Sequence, residues 1–292
     1  MDKHARRVTV VEVGPRDGLQ NESAPVPTDA KIAFIEALAA AGLPVVETTS
    51  FVNPKAVPQL ADATQVMQGV RRRPGVRYLA LVPNEKGLRR ALDAEVGAIA
   101  LFTAATDVFA QANVGTTVDG TFDRFIPVVA RAREAGCWVR GYVSVAFGCP
   151  YAGDVAPEAA VAVAERLFAL GCDEVSIADT IGVATPDSTA RLLAAAGALP
   201  IERLALHFHD TGGRALDNVA TALARGVRIF DASAGGLGGC PFAPGAPGNL
   251  ATEALLDMLD HAGYETGVDT TAVAGATARL RACLAASAPT GP

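Results

Sequence analysis

The chain has 292 residues, half of them hydrophobic and only 5% aromatic, and carries a formal net charge of −6. That length suits one large domain or two small ones, and the acidic balance argues against nucleic acid as the main partner, because neutralising phosphates takes clustered Lys and Arg. No apolar run approaches the roughly 20 residues a membrane span needs, and five dispersed cysteines with no C-x-x-C pair argue against a disulfide framework and for a reducing cytosol.

Read from the N-terminus, MDKHARRVTVVEVG enters a strand with no apolar signal core ahead of it. VTVVEV is the first strand candidate, and the PRDG after it carries Arg16 and Asp17. A helix is predicted over 28–41, closed by the glycine of AAAGLP, and PVVETTSF follows as a strand with Glu47 inside it. The link over 52–76 is the least regular part. It holds one helix near 58–70 and the basic run RRR at 71–73, which beside Pro74 reads as a solvated helix end. Then come strand RYLALV, helix 84–94, strand AIALFTA, helix 119–135 and strand WVRGYVSVAF. Helix 157–170 leads to strand EVSIAD, which ends on Asp179, and TPDSTARLLAAA opens helix 186–198 with a polar cap and Pro. Strand LALHFH carries His207 and His209, with Asp210 next. Helix 213–225 and strand IFDASAG precede the glycine-rich loop GGLGGCPFAPGAPGN, which holds Cys240 and Asn249. Helix 249–262 ends the eighth unit, 271–286 is an additional C-terminal helix, and the tail SAPTGP reads as disordered.

Eight strands alternating with helices over about 250 residues are the pattern of a (β/α)8 barrel. One such catalytic domain is expected over 1–292. A doubly wound open sheet is the alternative, weakened by the lack of G-x-G-x-x-G after the first strand.

In a barrel of this kind the chemistry sits at the C-terminal ends of the strands. Arg16, Asp17, Glu47, Asp179, His207, His209, Cys240 and Asn249 all fall there. Strand side chains alternate faces, so His207 and His209 share one face and Phe208 takes the other. Phe208 suits the helix layer, which turns both imidazoles toward the barrel axis, where they can bind one ion together. Oxygen and nitrogen ligands without thiolate favour Mg2+ or Mn2+ over structural zinc. Plainer readings stand beside these. Asp17 has a plainer reading as turn chemistry, and Asn249 as a helix N-cap. Asp210 is a cap or the partner of a histidine. Cys137, Cys149, Cys172 and Cys283 read as core packing, and His4 and His261 as surface residues.

The segments VEVGPRDGLQNE, SFVNPKAVPQLAD, RGYVSVAFGCPYAG, DTIGVATP, HFHDTGG and GGLGGCPFAPGAPGNLATE, in this order, resemble the 3-hydroxy-3-methylglutaryl-CoA lyase family over about residues 8–270. The resemblance implies a divalent-metal (β/α)8 lyase, usually dimeric, that cleaves 3-hydroxy-3-methylglutaryl-CoA to acetyl-CoA and acetoacetate. By position it implies Asp17, His207, His209 and Asn249 as metal ligands and Arg16 as the group holding the thioester carbonyl. It also implies Cys240 as the loop cysteine, Glu47 and Asp179 as acidic residues lining the site, and Asn113 near the coenzyme A. The chain departs from the pattern at Gln111 and Ala112, where the family usually has a basic residue, and at Gly212 and Asp217.

The implied reaction is a retro-Claisen cleavage, in which a tertiary hydroxyl loses its proton and a thioester enolate departs. A divalent ion lowers the hydroxyl pKa, as it does that of bound water. His207 is a poor base while it is a ligand, and Asp179 or a metal-linked water serves at least as well. Arg16 offers the enolate oxygen a permanent charge, and Cys240 is the candidate proton donor to the enolate carbon. A lyase for a longer-branched 3-hydroxy-3-alkylglutaryl-CoA and a Claisen-type acyltransferase are the alternative functions.

Overall fold

Eight parallel strands close on themselves in sequence order, β1 (Thr9–Glu12), β2 (Val45–Ser50), β3 (Arg77–Leu81), β4 (Ala98–Ala104), β5 (Trp138–Ser144), β6 (Glu174–Asp179), β7 (Leu204–Phe208) and β8 (Ile229–Ala232), with β8 paired back to β1. The computed structural model describes residues 6–22, 26–238 and 248–287. His4, Cys240 and residues 288–292 of the expected disordered tail lie outside them. Helices α1 (Thr28–Ala40), α2 (Ala63–Gly69), α3 (Glu85–Asp93), α4 (Asp107–Val114), α5 (Val118–Glu134), α6 (Pro157–Leu170), α7 (Pro186–Ala195), α8 (Ala215–Ala224) and α9 (Thr252–His261) wrap the barrel, and α10 (Thr270–Ser287) follows the eighth unit. None of the described helices is long and apolar enough to cross a membrane.

The eight strands match the predicted runs, and most helices shift by only a few residues at their ends. Two local expectations are corrected. Helix α4 occupies a segment with no predicted helix: at eight residues it is too short for a clear apolar stripe, and Gly115, at φ 67°, ends it. The RRR run does not end a helix but follows α2 as a tied loop. Arg71 pairs with Glu36 at 2.7 Å, and Arg72 donates to the carbonyls of Ala94 and Glu95.

Two apolar layers form, as alternation along each strand requires. Val10, Val46, Ile99, Val143, Ile177 and Phe208 face outward beneath the helices, while Val11, Val13, Leu79, Ala100, Ala205 and Ile229 fill the barrel. The interior also holds a fully buried arginine. Arg140 lies 2.7 Å from Glu174 and 2.7 Å from Asp231, and donates to the Tyr142 hydroxyl at 2.7 Å. A buried guanidinium without partners would be strongly destabilising, and here carboxylates flank it on both sides. Cys137, Cys149 and Cys172 are buried as expected, whereas Cys283 on α10 is only half-buried.

Glu12, at the end of β1, is wholly buried. It accepts the amides of Gly14 and Ala234, both at 2.8 Å, and the Thr252 hydroxyl at 2.7 Å. Burial pushes its carboxyl up to about 7 from an ordinary 4.5, against the pull of those donors. The folded protein therefore holds the Glu12 proton more tightly than the unfolded chain. The stability this contributes is full below the unfolded value and is lost as pH rises through about 7. Glu12→Gln keeps an acceptor for both amides and can donate to Thr252. Its melting temperature relative to wild type should rise between about pH 5 and about pH 8. A pH-independent difference would show that the carboxyl titrates normally.

Candidate functional site

The chain leaves β1 in a single wide helical turn, Gly14–Gly18, whose Arg16, Asp17 and Gly18 amides converge on the Val13 carbonyl at 3.2, 2.7 and 3.3 Å. The turn needs glycine at 14, because a Cβ there would lie 2.6 Å from the Glu12 carboxylate. It places Arg16 and Asp17 side by side over the barrel mouth. Arg16 bonds Asp17 Oδ1 at 2.6 Å and Glu47 Oε2 at 2.7 Å, and Glu47 also receives the Tyr142 hydroxyl at 3.3 Å. Burial disfavours the Arg16 charge, but the carboxylates of Glu47 and Asp17 outweigh it and fix the guanidinium as a cation. Asp17 is affected in the opposite sense. Burial raises it, yet Arg16, with help from His207 and Asn249, draws it down to about 2.

His207 and His209 both turn inward from β7 and its end, ring centres 5.2 Å apart, while Phe208 packs outward against Phe147. Asp17, His207 and His209 each bring a ligand atom to one place, all within 4.8 Å of one another. Asn249 joins them, pairing with His209 in a backbone bridge and donating its Nδ2 to Asp17 Oδ2 at 2.9 Å and to the Leu237 carbonyl at 3.1 Å. Gly238, at φ 100°, lets the chain pass here, since a Cβ would meet Asn249 Nδ2 at 2.7 Å.

Two buried atoms at this point have no hydrogen-bond partner, His209 Nδ1 and Asn249 Oδ1. An unpaired buried acceptor is costly, and a hard divalent cation would satisfy both along with the Asp17 carboxylate. Burial, then the neighbouring His207, lowers His209 to about 4, which keeps it neutral and able to ligate. The residues present fit such an ion.

Asp231 is a site residue that the sequence reading missed. It pairs in register with His207 across β7 and β8, and its Oδ2 lies 3.3 Å from His207 Nδ1. The contact leaves Nε2 free to ligate. Asp231 is itself held by Arg140 and by Ser176 at 2.9 Å. An acid in an otherwise apolar strand, two residues from the C-terminal rim, was the available signal.

Several expectations are corrected. Asn249 is not a helix cap, because α9 begins at Thr252 behind Ala251. Asp210 caps α8, accepting the Ala215 amide at 3.0 Å, and is not the histidine partner. Asp179 stands in register with outward-facing Phe208 rather than with His207. Its carboxylate accepts the amides of Val183 and Ala184 at 3.0 and 2.9 Å in the turn before α7, and burial raises it to about 6. Its neighbours Ala178 and Thr180 line the site instead. Cys240 lies outside the described residues.

All this opens into a cleft of about 680 Å³. Val52, Leu81, Pro83, Phe102 and Phe109 give it an apolar wall, and Asn113 lines it together with Val114. Gln111 and Ala112 are exposed on α4, and Gly212 lies in the turn against the Gly182 carbonyl, not in the cleft lining.

The HMGL-like family model matches residues 7–279. Hydroxymethylglutaryl-CoA lyase of Pseudomonas mevalonii is 50% identical over 95% of this chain and 92% of its own length. A Pseudomonas aeruginosa protein named 3-hydroxy-3-isohexenylglutaryl-CoA/hydroxy-methylglutaryl-CoA lyase is 48% identical over 97% and 94%. The crystal structure of the HMG-CoA lyase from Brucella melitensis superimposes with a TM-score of 0.93 at 51% identity, covering 95% of this chain and 98% of that one.

If Asp231 fixes the tautomer of His207, Asp231→Asn should weaken Mn2+ binding about 10–100-fold, read by paramagnetic resonance titration. Mn2+ affinity equal to wild type would reduce Asp231 to a counter-ion of Arg140.

Proposed function

The chain belongs to the HMGL-like family, and we propose that its cleft carries out metal-assisted cleavage of 3-hydroxy-3-methylglutaryl-CoA to acetyl-CoA and acetoacetate, with Mg2+ or Mn2+ held by Asp17, His207, His209 and Asn249. The chain is a carbon–carbon lyase acting on an acyl-CoA thioester. The observation that carries the metal reading is the convergence of Asp17, His207 and His209 ligand atoms within 4.8 Å, beside the unpartnered His209 Nδ1 and Asn249 Oδ1.

A divalent ion in this position supplies Lewis-acid polarisation of the substrate hydroxyl. The rest falls to the protein. Arg16 has its Nη1 and Nη2 committed to Asp17 and Glu47 and its Nε without a partner. A thioester oxygen that gains negative charge as the carbon–carbon bond breaks finds in Arg16 a fixed cation that needs no reorganisation. Glu47, wholly buried, holds the guanidinium plane in place. Cys240 is assigned the return of a proton to the enolate carbon, because a thiol is far more acidic than a hydroxyl. Asp179 braces the rim turn through the Val183 and Ala184 amides.

A longer-branched substrate is the second reading, favoured by the apolar wall of Val52, Leu81, Phe102 and Phe109. The Pseudomonas aeruginosa relative is named for both kinds of substrate.

Purified protein with Mg2+ should release acetyl-CoA and acetoacetate from 3-hydroxy-3-methylglutaryl-CoA, lose this activity to a chelator and regain it with Mg2+ or Mn2+. Full turnover after exhaustive chelation would remove the metal from the reaction. Arg16→Gln should keep the fold and lower turnover about 10²–10³-fold, with Arg16→Lys restoring only part because it loses the planar fork. Cys240→Ser should lower turnover with little change in KM, and a serine variant as fast as wild type would end the proton-donor assignment.

A further inference from the structure

Coenzyme A is a polyanion, with a 3′-phosphate and a 5′-diphosphate on its adenosine, and a chain of net charge −6 needs a local cation to receive it. Of the residues lining the cleft, those with a full charge independent of histidine protonation are Arg16, Asp17 and Arg124. Arg16 is consumed at the floor by Asp17 and Glu47. Arg124 is different. No ion pair joins it to another described residue, and its Nη1 donates to the Val114 carbonyl at 2.9 Å, at the end of α4. That single bond steadies the guanidinium and leaves most of its five N–H donors uncommitted.

The position follows from helix geometry. Thr121, Arg124 and Phe125 are three and four residues apart on α5, so they share one face, and that face lines the cleft. Thr121 and Phe125 are buried while Arg124 is exposed, which puts Arg124 at the solvent edge. His207 and His209 line the same cleft and are buried. A thioester with its acyl group at the histidines would run its pantetheine arm outward along Asn113 and Val114. We propose that Arg124 binds the phosphates of the coenzyme A moiety at the cleft mouth and so selects full coenzyme A thioesters over truncated ones. The proposal rests on the coenzyme A thioester reading above. Guanidinium suits the task because it offers a bidentate fork to phosphate oxygens. The competing role is purely structural, a cap on the end of α4, and it predicts equal effects on long and truncated ligands.

Two measurements separate these roles, both on the full chain with Mg2+. The first is the ratio of kcat/KM for the coenzyme A thioester to that for the pantetheine thioester of the same acid. Arg124→Ala should lower this ratio about tenfold, the loss of one charge-assisted contact, and Arg124→Lys should recover part of it. Arg131→Ala, an equal charge removed from α5 outside the cleft, should leave the ratio at the wild-type value. The second is calorimetric titration with coenzyme A itself, which needs no turnover and so decides the matter even if the lyase reading fails. Arg124→Ala should weaken coenzyme A binding by a similar factor. With 3′-dephospho-coenzyme A as ligand, a variant that no longer distinguishes it from coenzyme A assigns the contact to the 3′-phosphate, and one that still does assigns it to the diphosphate. An unchanged thioester ratio in Arg124→Ala, an equal drop in Arg131→Ala, or unaltered coenzyme A affinity would each overturn the proposal.

Discussion

The carboxylate of Glu12 binds together three pieces of chain that are remote in sequence. Through Gly14 it fixes the turn that presents Arg16 and Asp17, through Ala234 it fixes the chain leaving β8, and through Thr252 it fixes the start of α9, just past Asn249. Arg16, Asp17 and Asn249, the site groups that come from neither β2 nor β7, thus refer their positions to one buried carboxyl group. The cost of burying it is visible in the raised pKa, and the three donors are what make the burial tolerable. The same logic explains the neighbouring glycines, since a side chain at 14 would collide with that carboxylate.

Beneath this a second network runs along the barrel axis. Glu174, Arg140 and Asp231 form a chain that ends on His207, and Arg140, Tyr142 and Glu47 form another that ends on Arg16. Arg140 is therefore common to the groups that orient His207 and the groups that orient Arg16. A barrel interior filled only with aliphatic side chains would pack as well, but it would leave both without a fixed partner.

Much of this could be read from the sequence because strands have a rigid period of two. Alternation alone turned His207 and His209 inward and Phe208 outward, and the β-branched runs marked all eight strands. The same rule, applied to IFDA and WVRG, turns Asp231 and Arg140 inward too, although neither stands at a strand end where chemistry is expected. Asp179 was placed on the rim correctly but on the wrong face, since one residue of register exchanges the cleft for the helix layer. The wide turn at Gly14–Gly18 was not legible. PRDG is compatible with many turns, and the one adopted depends on Glu12 and on packing from the other end of the chain. Asn249 was ambiguous for a related reason, because its role depends on contact with Asp17, 232 residues away.

That separation has a consequence for biogenesis. Asp17 emerges early in synthesis and Asn249 late, and they meet only when β8 pairs with β1. A nascent chain therefore carries only Asp17 of the proposed ligand set until His207 is made, and non-local closure of this kind is intrinsically slow. An ion held by this set would not template the early barrel. It would recognise a ring already sealed, and its capture would mark the completion of folding rather than its beginning.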